Sequence, residues 1–226
     1  MCRWLSYSGA PVRIQDALYS PVHSLIDQSL HSRLGAEPTN GDGFGIGWYD
    51  QEEIPGVFHS IEPAWNDQNL REITAHIRSH LFFAHIRAAI GSAVQQTNCH
   101  PFRHDRWLFM HNGYLGGFSQ MKRDLVLAID ESLYPEIHGQ TDTETLFYLA
   151  LTLGLADDPP TAVARAIGRV EAEASATASR TASRARSRPA TASICGPSAT
   201  PPTARPARCS SPRTLAPYAR CIRTVR

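Results

Sequence analysis

The chain has 226 residues, a formal net charge of +1, 42% hydrophobic and 19% charged residues, which suffices for one sizeable core or two small ones. This composition excludes a collagen-like chain, a coiled coil and a disulfide-dense mini-domain, and the longest mostly apolar stretch, 147–156, is too short to cross a bilayer. No basic segment followed by an apolar one opens the chain, and Cys2, Cys99, Cys195, Cys209 and Cys221 form no CxxC pair, so reduced thiols in a cytoplasmic protein are expected.

Trp4, Leu5 and Tyr7 make 3–8 a short strand, and 21–30 carries a weaker helical pattern. The run NGDGFGIGW at 40–48 is a glycine-dense turn feeding a strand, whose small residues allow another backbone to approach closely. A strand is expected at 57–61, a helix at 69–79 from Leu70, Ile73 and Ile77, and a buried strand at 81–89, LFFAHIRAA. A further strand at 107–110 ends at His111-Asn112-Gly113, and 118–129 and 142–155 read as helices. Strands and helices without βαβ regularity predict an α+β fold.

The near-zero net charge hides a split. Residues 172–226 hold ten Arg, one Glu and neither Lys nor Asp, so this part is at +9 and 1–171 is at −8. Ala, Arg, Ser, Thr and Pro make up 45 of these 55 residues. Such a segment buries too little apolar surface to offset its ordering entropy, and disorder is expected. Two explanations compete. One is a basic arm for nucleic acid or an acidic surface. The other is a change of reading frame near 170–173 in GC-rich DNA. The second is favoured, because Lys is absent and the segment holds one Tyr, Tyr218, whereas nucleic-acid arms use Lys and aromatic residues as well.

Several residues carry chemistry. Cys2 follows the initiator methionine, and a small second residue permits removal of Met1. A thiol and a free α-amino group would then share one residue, and an amine of pKa about 7.7–8.0 can act as base for its own thiol. Asn112 offers a side-chain NH2 and Gly113 an unobstructed backbone N–H, two donors suited to an oxyanion hole, although Asn-Gly is also a plain turn sequence. Arg87 lies inside an apolar run and needs a partner; it either joins a structural ion pair or holds a ligand carboxylate in its fork. Thr141-Asp142-Thr143-Glu144 matches a capping box before an apolar helix, which leaves Asp142 able to face a substrate ammonium group. His100 precedes Pro101 in an extended segment. His85, His100, His104 and His111 are spaced like no short metal motif, so no zinc is expected. Together these residues describe a site for an α-amino acid with a side-chain amide. Arg87 would hold the carboxylate, Asp142 the ammonium, and Asn112 with Gly113 the oxyanion formed when Cys2 attacks.

The set Met1-Cys2-Arg3-Trp4, Gly41-Asp42-Gly43-Phe44-Gly45-Ile46-Gly47-Trp48, Ala84-His85-Ile86-Arg87, Asn98-Cys99-His100-Pro101, His111-Asn112-Gly113 and Thr141-Asp142-Thr143-Glu144 resembles the class II, N-terminal nucleophile, glutamine amidotransferases. It is most similar to the small stand-alone members, among them the ergothioneine-pathway γ-glutamyl hydrolases. The resemblance implies a four-layer α/β/β/α sandwich and a glutaminase half-reaction through a Cys2 thioester. It implies oxyanion donors at Asn112 and Gly113, and glutamine-binding residues at Arg87, His100 and Asp142. No cofactor or metal is implied. The expected partners are glutamine or a γ-glutamyl small molecule and a separate ammonia-accepting synthase, with no membrane.

The domain expected is 2–171, followed by the 172–226 tail. Two departures stand out. Ile90 occupies the position three after the arginine, where many relatives carry a hydroxyl. The tail stands where relatives continue into further strands, so the sandwich is expected to be incomplete at its C-terminal end. An inactive remnant of the family is therefore the alternative reading, and nucleic-acid binding through the basic tail is the least favoured one.

Overall fold

The computed structural model describes residues 2–30, 39–89, 92–180 and 191–195. In chain order the elements are β1 (Arg3–Arg13), α1 (Ile14–Leu18), α2 (Leu25–Leu30), β2 (Phe44–Tyr49), β3 (Gly56–Ser60), α3 (Gln68–His76) and β4 (Arg78–Ile86). They continue with β5 (Phe102–His104), β6 (Trp107–Asn112), α4 (Phe118–Val126), α5 (Asp142–Thr152), α6 (Pro159–Arg180) and β7 (Thr191–Cys195). The fold is α+β. Its strands form a four-stranded sheet of order β1-β4-β2-β3 and a three-stranded sheet of order β5-β6-β7. The described residues fall into two compact units that divide between Met110 and His111.

The first unit is built on the antiparallel four-stranded sheet. Its register aligns Trp4, His85 and Gly45 in one row and Arg3, Ile86 and Phe44 in the next. Successive rows face opposite ways, because strand side chains alternate. One face presents Tyr7, Phe44, Ile46, Phe82, Ala84 and Ile86 to Ile14 and Leu18 of α1 and Leu70 of α3. The other presents Tyr49, Leu81 and Phe83 to Leu108 and Met110 of β6, with Trp4 and Val57 at the margin. A strand covered on both faces reads as a continuous apolar run, which explains LFFAHI in β4. Each fully buried Phe or Leu there contributes about 1.5–3 kcal/mol of transfer free energy.

The alternating glycines of β2 fall on the second face. A Cβ at Gly45 would collide with the His100 carbonyl oxygen and the His59 ring, and one at Gly47 would lie 2.7 Å from Pro101 Cγ. The close approach expected from the sequence is therefore made by the segment Cys99–Pro101, which lies directly on the sheet. His59 Nε2 holds the same segment from β3 through the Pro101 carbonyl at 3.0 Å.

In the second unit α4, α5 and α6 pack on one another. Every residue of α5 from Thr143 to Ala150 is buried, as expected of a helix surrounded by protein. The helix stops in a Schellman arrangement. Gly154 adopts φ +96°, its N–H bonds the Leu151 carbonyl at 3.2 Å, and the Leu155 N–H bonds that of Ala150 at 3.0 Å.

The structure corrects the sequence reading in three places. Residues 172–180, assigned to a disordered tail, continue α6, and 191–195 form β7. Alanine is the strongest helix former, so few bulky residues were needed to extend a helix already anchored by Ala162, Val163, Ala166 and Val170. The rest of that tail, and Ile90, lie outside the described residues. The short elements α1 and β5 escaped the pattern because they hold one helical turn and three strand residues. The capping box is half formed: Thr141 Oγ1 accepts the Glu144 N–H at 3.1 Å. The Glu144 carboxylate instead accepts the His138 and Gly139 N–H groups at 2.8–3.0 Å. Burial raises the Glu144 pKa against these bonds.

Candidate active site

Cys2 lies immediately before β1 and meets β4's exit. The Ala88 N–H donates to Cys2 Sγ at 3.3 Å, and the thiol donates to the Ala88 carbonyl at 3.4 Å. Burial pushes the thiol pKa up, while the Ala88 N–H, the chain's amino terminus and Arg87 pull the other way. Cys99 is pushed up to about 11 by burial.

Arg87 is 3% exposed. Its Nη2 donates to the Ser92 hydroxyl at 2.6 Å and to the Ser92 carbonyl at 3.4 Å, and its Nη1 donates to the Asp42 carbonyl at 3.4 Å. Among the described residues no carboxylate pairs with it, so the ion-pair alternative is not what the fold builds. Asp42 directs its carboxylate to the Ala89 N–H at 2.7 Å. With Gly43 it also exchanges backbone bonds with Arg87, just after β4: the Asp42 N–H donates to the Arg87 carbonyl at 3.3 Å, and the Arg87 N–H to the Gly43 carbonyl at 2.8 Å. Asp42 thus ties the turn before β2 to the segment that clasps Cys2.

His100 is buried beside His85. The ring nitrogens are 3.1 Å apart and the rings meet edge to face at 4.3 Å. The first unit therefore brings Cys2, Arg87 and Ser92 to one end of β4 and pairs His100 with His85.

The second unit groups the other three expected residues. Asn112 ends β6 and Gly113 follows it, exposed. Asp142 is the first residue of α5. Its Oδ2 accepts the Leu115 N–H at 2.8 Å, which holds the loop after Asn112-Gly113 to the helix start. Its Oδ1 accepts from Thr143 Oγ1 at 3.3 Å. His111, 2% exposed, reaches the same hydroxyl through Nδ1 at 3.1 Å.

Sequence reasoning assigned no role to Asp42, Ser92, His85 or Thr143. Ser92 carried a legible signal, a hydroxyl five residues after a charged residue in an apolar strand. The others act through contacts distant in sequence or through an unremarkable helix turn.

The family model for class II glutamine amidotransferases matches residues 18–178. The chain belongs to that family. Arg87, His100, Asn112, Gly113 and Asp142 fall inside the matched residues, and Cys2 precedes them. Over 160 residues the chain is 42% identical to the probable glutamine amidotransferase DUG3 of Saccharomyces cerevisiae, covering 67% of this chain and 45% of the yeast protein. Over 115 residues it is 32% identical to the gamma-glutamyl-hercynylcysteine sulfoxide hydrolase of Mycolicibacterium smegmatis, covering 50% of this chain and 51% of that one. The chain spans about half the length of these curated relatives. Among solved structures, a glutamine aminotransferase class-II domain protein from Silicibacter pomeroyi superimposes with a TM-score of 0.63 at 34% identity, over 86% of this chain and 72% of that one. The glutamine phosphoribosylpyrophosphate amidotransferase of B. subtilis shares the fold, with a TM-score of 0.53 at 16% identity over 87% of this chain and 35% of that one. Among the described residues no helix is long and apolar enough to cross a membrane.

Proposed function

We propose that this chain is an amidohydrolase of glutamine or of a γ-glutamyl compound, working through a thioester at Cys2. Removal of Met1 frees the Cys2 amine, which takes the thiol proton. The sulfur attacks the side-chain amide carbon. Asn112 and Gly113 stabilise the oxyanion. The C–N bond then breaks, and ammonia or an amine leaves with the transferred proton. Water hydrolyses the thioester to glutamate and restores the thiol. Arg87 binds the α-carboxylate and Asp142 the α-ammonium, and His100 is a further glutamine-binding residue. The four-layer sandwich belongs to the same reading.

The observation that carries it is Arg87. A buried guanidinium with only neutral partners is costly unless a carboxylate completes it, and its chain neighbour Ala88 holds the Cys2 thiol. A ligand whose carboxylate meets Arg87 is thereby placed near a nucleophile. The hydrolase relative, named for a γ-glutamyl substrate, supports the γ-glutamyl half of the substrate range. A separate synthase that accepts the ammonia is the proposed partner for glutamine itself.

Intact mass and peptide mapping, before and after exposure to a diazo-ketone analogue of glutamine, test this. The expected result is loss of Met1 and one adduct on Cys2. Glutamate release that persists in Cys2→Ala would overturn the mechanism.

A further inference from the structure

Behind Asp142 lies a row of groups that the reaction above leaves without a role. Thr143 Oγ1 stands between Asp142 Oδ1 at 3.3 Å and His111 Nδ1 at 3.1 Å. Thr143 and His111 are each 2% exposed. A hydroxyl has one proton to donate, and an ionised carboxylate only accepts. The Thr143 proton therefore goes to Asp142, and the hydroxyl accepts from His111. This places the imidazole proton on Nδ1. Burial also pushes the His111 pKa down, against the opposing charge of Asp142, which favours the neutral ring. His111 Nε2 is buried with no hydrogen-bond partner among the described residues, as befits a bare acceptor. The second Asp142 oxygen is held by the Leu115 N–H at 2.8 Å. The carboxylate thus has one fixed donor on each oxygen, and its rotation is set by both. One of these donors depends on a histidine that adjoins Asn112 in β6.

We propose that Thr143, backed by His111, is a positioning residue that turns the Asp142 carboxylate toward the substrate's α-ammonium group and so sets the preference for amides bearing an α-amine. This rests on the reading above that Asp142 takes the ammonium.

The test compares glutamine with glutaramate, its analogue lacking the α-amine, on the full chain. Thr143→Val, which keeps the shape and removes the hydroxyl, is expected to lower the glutamine-to-glutaramate ratio of kcat/KM about tenfold, mainly through the KM for glutamine, the scale of one misaligned charge-assisted bond. Thr143→Ser is expected to restore the ratio. Equal losses on both amides would show a merely structural role and overturn the inference. Independently of activity, the imidazole nitrogen shifts of His111 in the wild-type chain are expected to show the proton on Nδ1. A proton on Nε2 overturns the arrangement even if Thr143→Val fails to fold. A wild-type chain that turns over neither amide defeats the proposed function and the substrate half of this inference, while the His111 shifts still decide the hydrogen-bond half.

Discussion

Cys2 and Ala88 are joined twice: the backbone N–H of Ala88 meets the sulfur at 3.3 Å, and the thiol meets the carbonyl of the same residue at 3.4 Å. A resting thiol is suited to this clasp, because it can donate and accept at once. A thiolate would lose the carbonyl contact and keep the N–H. Burial, against the pull of the Ala88 N–H, keeps Cys2 protonated until a base acts on it.

The first prediction concerns reactivity. Burial raises the pKa of Cys2, and Arg87 opposes the rise. Alkylation by iodoacetamide reports the thiolate fraction. Its rate at Cys2 is expected to climb about tenfold per pH unit from 7 toward 9. Arg87→Met removes a cation that favours the thiolate, and Cys2 in that variant is expected to react more slowly at every pH in this range. Cys99, pushed up to about 11, is expected to react last. Mass spectrometry of timed samples measures all three, and a Cys2 rate independent of pH would contradict the assignment.

A second prediction follows from Asp42. Its carboxylate accepts the Ala89 N–H at 2.7 Å. Asp42→Ala leaves that donor without its partner, at a cost of about 1–3 kcal/mol. The urea midpoint is expected to fall while the slope stays constant. Labelling of Cys2 by the diazo-ketone is expected to slow as well, since the Arg87–Ala89 segment loses its side-chain tie to the turn before β2 and keeps only the backbone bonds. Asp42→Asn, which retains a carbonyl acceptor, is expected to recover much of the stability.

The glycines separate in a third prediction. Gly45→Ala would drive a methyl group into the His100 carbonyl and the His59 ring. Neither obstacle is the free end of a flexible chain, and the destabilisation is expected to exceed about 3 kcal/mol or to abolish folding. Gly168→Ala, exposed on α6 with nothing within 4 Å of the new Cβ, is expected to stabilise by about 1 kcal/mol. Thermal melts of the two variants should move in opposite directions.

Acid stability provides a fourth. Burial lowers the His59 pKa below its usual 6.5, against the bond to the Pro101 carbonyl. His111 is lowered in the same way. A depressed histidine binds fewer protons folded than unfolded, so its contribution is present above pH 6.5 and lost as pH falls below it. Glu144 is raised and has the opposite sign: its contribution is full below 4.5 and declines as pH rises from there. The urea midpoint of the wild type is therefore expected to drop between pH 7.5 and 5.5 by more than that of His59→Gln. Parallel profiles for the two proteins would show that His59 carries no such linkage.

The sequence by itself determined the elements whose apolar pattern is local. The runs at 44–49, 81–86 and 107–110 announce strands because β2, β4 and β6 are covered on both faces. The block at 142–155 announces a helix, since α5 is buried all round. The glycine alternation of β2 declared a close approach, and the order of motifs declared the family. The sequence did not reveal which backbone makes the approach, because the Cys99–Pro101 segment reaches Gly45 only when the register of β2 is set. It also misjudged 172–180, where composition spoke for disorder while the growing end of a packed helix needed nothing more than alanine. The partners of Arg87 were likewise decided by tertiary structure. Composition called for a counter-charge, and the fold supplied a hydroxyl and carbonyls instead. The Asp42 contact joins residues far apart in the chain, and the free energy of all these contacts depends on distance and burial. Neither quantity exists until the sheet has formed.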